Sequence, residues 1–366
     1  MILFTEYYTP AYKAGGLITS ISNLCALLSN QLSITLVSSA YDLKDKKQLL
    51  GVTPDVLQNN CYYTKKSFLS ILHLYQFVKR NNNQLFYING LYTWHLSLLP
   101  ALVGQKLIIA PRGMLQKSSF EQSGFLKKCY LFLYKRIISR KDVIWHATSD
   151  AEVIEIQDHI GKHAEIHLIH NIPSKPIARL NVIPKESATL KLICLALIGN
   201  MKNHLRLIRL VQESQLPIEL DLYGSIKDQV YWEACEQLIK NQTATCKIQY
   251  KGIVATHQVP SILQSYHASI LLSKGENFGH AIFESLSVGR CVILSDKTPW
   301  KFENSAGATF TDDEDERIKE HFKILFSEDQ IHWEKRCENA LQYANNYLSN
   351  QNYMASYLQL FKSANS

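Results

Sequence analysis

Nowhere in its 366 residues does the chain have the roughly eighteen consecutive apolar residues that a membrane-spanning helix needs. The N-terminus, MILFTEYYTP, lacks a basic start and a small-residue cleavage site. It reads as a first buried strand, not a signal peptide, and a cytoplasmic location is expected. There is no CxxC pair, which argues against a zinc ribbon or a dithiol redox centre. The eight cysteines are scattered, and several, such as Cys194 and Cys291, lie in apolar strand-like runs. They read as packing residues in a reducing compartment. No GxGxxG dinucleotide fingerprint is present. Charged residues are only 19% of the chain and the net charge of +7 is diffuse. That excludes a nucleic-acid-binding stripe but suits an anionic substrate or an anionic surface.

What is present is an apolar content of 46%, ordinary for a globular protein, in a chain longer than one core usually serves. In the first half MILFTE, SITLVSS, QLFYING, KLIIAPRG, VIWHATS and EIHLIHN read as strands, separated by helical stretches such as GLITSISNLCALLSN, SFLSILHLYQFVKRN and GFLKKCYLFLYKRIIS. The alternation predicts a parallel α/β sheet. A proline-rich patch at 173–187 breaks the rhythm and reads as a linker. The pattern then restarts with LKLICLALI, IELDLYG, KIQYKG, ASILLS and CVILSD as strands. The expected fold is α/β with two Rossmann-like, doubly wound domains, 1–172 and 188–349, facing a central cleft. The tail beyond Asp315 is helical, and a last helix at about 350–366 is expected to pack back on the first domain. Ligands of such sheets bind at the carboxyl ends of the strands.

The densest polar chemistry lies in SKGENFGHAIFESLSVGRCVILSDKTPW, residues 273–300. A buried strand ends in a loop that carries Glu276, Asn277 and an exposed Phe278, and a helix opens near Gly279 and His280. Backbone N–H groups at a helix start attract a phosphate or an electron-rich sugar oxygen. Glu276 at the loop can accept from sugar hydroxyls. Glu284, inside the helix, needs a hydroxyl partner if it faces the apolar side. The plain alternative is a loop acid and a solvated helix acid. Gly15 and Gly16, between the first strand and the first helix, allow close backbone approach to a phosphate, or form only a turn.

The ENFGHAIFE segment, with its E-x7-E spacing at Glu276 and Glu284, and the following SLSVGRCVILSDKTPW resemble the retaining glycosyltransferases of family 4. PAYKAGG, APRGML, HATSDAEVIEI and IHNIP extend the resemblance over nearly the whole chain, with Cys291 in place of the usual proline. The resemblance implies the GT-B fold and transfer of a sugar from a nucleotide diphosphate sugar, UDP-sugar favoured and GDP-sugar possible, to a glycan or lipid-linked acceptor in surface polysaccharide biosynthesis. It implies no cofactor and no metal. Lys202 matches the pyrophosphate lysine and, with Glu276 at the donor sugar, would carry catalysis. Phe278 and Gly279 would offer backbone donors, Asn277 and His280 would line the pocket, and Glu284 would hold the ribose. Arg112 and His95 lie on the acceptor side, although His95 also reads as a packed helix residue. One departure is Leu197, where an arginine that also binds the pyrophosphate is common. Arg206, one turn beyond Lys202, is a candidate substitute.

Other signals carry less. His159, His163, His167 and His170 resemble metal spacing, but Gly161 interrupts the helix and EIHLIHN alternates like a strand. The acids of DDEDE (312–316) read as a solvated helix start. The basic, aromatic helix at 126–141 is either an ordinary amphipathic helix or a contact with the inner-membrane surface. Two other functions fit the pattern: a nucleotide-sugar epimerase of the same architecture, and a catalytically silent nucleotide-sugar-binding partner in glycan assembly.

Overall fold

The computed structural model describes residues 1–116, 124–139, 141–177, 182, 184–185, 188–242 and 244–364. The chain divides into two compact units, one of residues 1–172 with 352–366 and one of residues 173–351.

Unit 1 is built on eight strands: β1 (Ile2–Thr5), β2 (Thr35–Ser39), β3 (Leu57–Gln58), β4 (Cys61–Thr64), β5 (Leu85–Asn89), β6 (Lys106–Ala110), β7 (Val143–Ala147) and β8 (Glu165–Leu168). Their order is β3-β4-β2-β1-β5-β6-β7-β8. Every pair is parallel except the short β3–β4 pair at the edge. The helices are α1 (Gly16–Leu28), α2 (Phe68–Arg80), α3 (Trp94–Val103), α4 (Gly124–Ile138) and α5 (Asp150–Ile160). β1 and β5 are buried along their whole length, as expected of strands covered on both faces. The pattern reading missed β3 and β4, while α3 is the helix that the packed-residue reading of His95 implies. Pro100 lies inside α3, where a proline ordinarily argues against a helix.

Unit 2 holds β9 (Leu190–Leu195), β10 (Ile218–Tyr223), β11 (Cys246–Gly252), β12 (Ala268–Leu271), β13 (Cys291–Ser295) and β14 (Gly307–Phe310). The six strands run parallel in the order β11-β10-β9-β12-β13-β14. The helices are α6 (His204–Glu213), α7 (Gln229–Lys240), α8 (Val259–Leu263), α9 (His280–Ser287), α10 (Asp315–Ser327) and α11 (Gln330–Ser349). Because β9 and β12 are neighbours, the loops at their carboxyl ends meet. Of the expected linker, residues 173–177 have no regular secondary structure, and Ile177 N–H donates to the Ser287 carbonyl at 3.0 Å. Residues 178–181, 183, 186 and 187 of that linker region lie outside the described residues.

The last helix, α12 (Tyr353–Ser363), belongs to unit 1. Tyr357 and Phe361 are buried there: Tyr357 packs edge-on against His146 at 5.4 Å and Phe361 against Tyr87 at 6.1 Å.

Candidate functional site

In unit 2 the loop after β9 forms a short 3-10 turn, Asn200–Lys202, before α6. The loop after β12 carries Ser273 to Gly279. The two are fastened together: Ser273 Oγ donates to the Met201 carbonyl at 3.0 Å, and Lys274 N–H donates to the same carbonyl at 2.8 Å. This brings Lys202 to Glu276, and its ammonium donates to the carboxylate. Both are mostly buried, with side chains 21% and 11% exposed. The Glu276 N–H is held by the Lys297 carbonyl at 3.2 Å, which sets the loop from the β13 side.

Gly279 caps α9 with φ of +77°, a left-handed conformation that favours glycine. A Cβ there would lie 2.6 Å from Ile282 Cδ1. No side chain caps the helix and its first turn carries no acid, so its dipole faces outward uncompensated. His280 begins the helix, buried against Phe278 at 4.9 Å. Phe278 is not the exposed aromatic that the sequence suggested; it is 4% exposed. Trp300, from the SDKTPW segment, stacks edge-on against it at 5.1 Å and donates its indole N–H to the Phe278 carbonyl. The loop is thus pinned at Phe278 by Trp300.

Glu284 sits one turn into α9 and is 8% exposed. Burial pushes its carboxyl up to about 8. Among the described residues, no hydrogen-bond donor and no cation is recorded for this carboxyl. A buried carboxyl without a donor is costly unless something supplies one. Hence Lys202, Glu276, Asn277, Phe278, Gly279, His280 and Glu284 all fall within two facing loops and the first turns of α9.

Arg206 does not join them. Its guanidinium donates to Asp315 at 2.8 Å, Asp312 at 3.1 Å and the Thr311 carbonyl at 3.0 Å. Two acids of the DDEDE run are therefore not merely solvated helix-start residues; they hold this arginine away from the Lys202 loop. Leu197 is left without a replacement from that side.

In unit 1 the sequence-selected residues all follow strand ends. Gly15, with φ of +58°, caps α1, and open space surrounds its would-be Cβ. The preceding loop is tied down by Asp42, which accepts from the N–H groups of Tyr12 at 2.9 Å and Lys13 at 3.2 Å. Arg112 also has a left-handed backbone, φ +56°. It donates from Nε to Asn89 at 2.5 Å, and from its terminal nitrogens to Asn171 and to the Tyr87 hydroxyl at 2.8 Å, and Tyr357 of α12 adds to the groups that stabilise its charge. The Tyr87 hydroxyl in turn bonds His146 Nδ1 at 2.6 Å, and His146 Nε2 donates to the Ile169 carbonyl at 2.9 Å. Burial first, and then the Arg112 charge, lower the His146 pKa to about 3, so the ring is neutral. Arg112 is accordingly a brace between β5, β6, the loop after β8 and α12, not a side chain reaching outward. Next to it Glu152 accepts from Gly113 N–H at 2.6 Å and from Thr148 N–H and Oγ1 at 2.7 Å each. Ser149 caps α5 by accepting from the Glu152 N–H. His95 is 1% exposed in the first turn of α3, beside the Trp94 ring. Burial and the Lys66 charge lower its pKa to about 4. It is a packed helix residue.

A second surface was only half visible in the sequence. From residue 56 to 141 the chain has 13 lysines and arginines against a single acid, Glu121. That bias coincides with exposed apolar side chains: Phe68, Leu69 and Leu72 on α2, and Phe125, Leu126, Phe132 and Leu133 on α4. Phe125 is 80% and Phe132 71% exposed, and their spacing puts them on one helical stripe beside Lys128, Lys135 and Arg136. Arg140 of the expected 126–141 segment lies outside the described residues. Among the described residues no helix is long and apolar enough to cross a membrane.

Residues 181–347 match the protein family described as glycosyl transferases group 1. No curated protein is matched by sequence. Solved structures are similar over the full length. HepE (Alr3699) of Anabaena, in complex with UDP and glucose, has a TM-score of 0.70 at 15% identity, covering 100% of this chain and 99% of that one. WaaG, a glycosyltransferase involved in lipopolysaccharide biosynthesis, has a TM-score of 0.68 at 11% identity, with coverage of 100% and 99%. The sucrose-phosphate synthase of Thermosynechococcus elongatus has a TM-score of 0.70 at 15% identity, with coverage of 99% and 97%.

Proposed function

We propose that this chain, which matches the glycosyl transferases group 1 model over residues 181–347 and shares the fold of solved GT-B glycosyltransferases, transfers a sugar from a nucleotide diphosphate sugar with retention at the anomeric carbon. The donor is a UDP-sugar, with a GDP-sugar as the alternative, and the acceptor is a glycan or lipid-linked glycan in surface polysaccharide assembly. The observation that carries this reading is Glu284, a nearly buried carboxyl without a hydrogen-bond donor among the described residues, next to the Lys202–Glu276 pair and the uncapped start of α9. Hydroxyls of a ribose satisfy such a carboxyl, and a diphosphate suits the lysine and the helix dipole. The UDP complex of HepE supports the uridine nucleotide.

In the proposed reaction the bond between the anomeric carbon and the leaving phosphate oxygen breaks, and its electron pair stays on that oxygen. The acceptor hydroxyl oxygen forms the new bond on the same face, and its proton passes to the leaving phosphate oxygen. Lys202 and the backbone donors at Phe278 and Gly279 stabilise the charge that builds on the diphosphate, so no metal is invoked. Glu276 orients the sugar through its hydroxyls. Asn277 and His280 line the same pocket, and in unit 1 the Gly15–Gly16 helix start, without a side-chain cap, is suited to an anion.

We also assign the Phe125–Arg136 stripe to the surface of an anionic membrane, where lipid-linked acceptors reside. Apolar side chains enter the interface and the flanking cations meet the headgroups. A thermal-shift screen across nucleotide diphosphates and their sugars tests the central reading. Stabilisation by one nucleotide series, followed by transfer from its sugar, is expected; no stabilisation by any member overturns it.

A further inference from the structure

The donor site as built is short of positive charge. Leu197 contributes none, Arg206 is held by Asp312 and Asp315, and the Lys202 ammonium is already balanced by Glu276. A nucleoside diphosphate brings at least two negative charges to this place. One cation remains in the two-loop constellation. Lys274 lies two residues before Glu276, and its own N–H is fixed to the Met201 carbonyl at 2.8 Å, next to Lys202. Its ammonium donates to Asn200 Oδ1 at 2.8 Å, at the first residue of the 3-10 turn that delivers Lys202. Among the described residues no carboxylate pairs with it. An ammonium has three donors, so Lys274 can keep the neutral Asn200 and present the others to an anion.

We infer that Lys274 is the second cation of the diphosphate site and does the electrostatic work that Leu197 cannot. The inference rests on the proposed donor reading and sharpens it: this chain divides phosphate recognition between Lys202, on the loop after β9, and Lys274, on the loop after β12. The consequence is a split in ligand dependence. Lys274 acts on the phosphates alone, so its removal weakens a nucleoside diphosphate, weakens a monophosphate less, and leaves the free nucleoside untouched.

Calorimetric titration of the full chain with UDP, GDP and ADP, and then with the monophosphate and nucleoside of whichever binds, provides the test. Lys274→Gln is expected to lower diphosphate affinity about tenfold, the weight of one charge-assisted contact, and to flatten its salt dependence. Its melting curve should match the parent, because the side chain is exposed. Adding Leu197→Arg to Lys274→Gln should restore affinity by returning a cation to the neighbouring strand end. Parent-like diphosphate binding by Lys274→Gln overturns the inference while the donor reading stands. Failure of the parent to bind any of the three diphosphates overturns both.

Discussion

The ammonium of Lys202 donates to the carboxylate of Glu276, joining the loop after β9 to the loop after β12 across 74 positions of sequence. Each partner restrains the other in the absence of ligand. In the proposed reaction a donor exchanges this bond for new ones, its phosphate to the lysine and its sugar to the glutamate.

That exchange separates the two side chains experimentally. Lys202→Ala is expected to weaken UDP binding by about 10- to 100-fold, the range for a lost charge-assisted contact. Glu276→Ala should abolish sugar transfer. UDP carries no sugar, so that variant should bind it at least as well as the parent, since the ammonium has been released. Calorimetry with UDP and a transfer assay on the same preparations check both. Loss of UDP binding in Glu276→Ala would place that residue on the nucleotide.

Glu284 gives a pH signature. Its carboxyl titrates at about 8 in the folded chain, well above the ordinary carboxylate range. Below that ordinary range the group is protonated in both folded and unfolded states. As pH rises towards 8 the unfolded state ionises first, so stability from this group falls across that window. Ribose hydroxyls favour the ionised form, so nucleotide affinity should rise from pH 6 to 8 with release of a proton. Titrations in buffers of different ionisation enthalpy measure that proton. Glu284→Gln should flatten both the stability slope and the affinity slope.

Trp300 tests the pin beneath the loop. Trp300→Phe keeps the aromatic packing on Phe278 but loses the donor to its carbonyl. A loss of about 1 kcal/mol in stability is expected, with donor KM rising more than kcat falls. Trp300→Ala should cost about 3–5 kcal/mol, as for other large core truncations. An unchanged KM in Trp300→Phe would show that the carbonyl bond does not position the site.

The membrane assignment predicts co-sedimentation with vesicles containing anionic lipid and little with purely zwitterionic ones. Binding should weaken at high salt. Phe125→Ser with Phe132→Ser, both at exposed positions, should remove most of it without a change in melting temperature. Vesicle binding equal to that of the parent would dismiss the stripe as the contact.

Chelation provides a further check. Transfer activity should persist in EDTA, because Lys202 and the loop N–H groups are proposed to carry the leaving-group charge. A strict requirement for a divalent cation would end the metal-free mechanism.

The α/β character and most strands were legible because buried parallel strands write continuous apolar runs. The edge pair β3–β4 was not: Leu57 and Gln58 are exposed, and CYYT is too short to stand out. α3 keeps Pro100 within its length, a breaker by sequence that the fold tolerates. The acids of the site were visible by spacing, yet their surroundings depended on distant segments. Phe278 is buried because Trp300 arrives 22 residues later. Arg206 lies one turn from Lys202, and only the fold shows that Asp312 and Asp315 have taken it. Strand order decides which loops meet, and β9 beside β12 is a crossover that no local pattern encodes.

The last helix carries a consequence for synthesis. Tyr357 and Phe361 complete the buried network of Tyr87, His146 and Arg112, yet they are made after the whole of unit 2. A nascent chain can close unit 2 upon itself while unit 1 still lacks part of its interior. The N-terminal half, first out of the ribosome, is thus the last to reach its final packing. Until then its Arg112 brace and exposed apolar helices are the surfaces most in need of chaperoning.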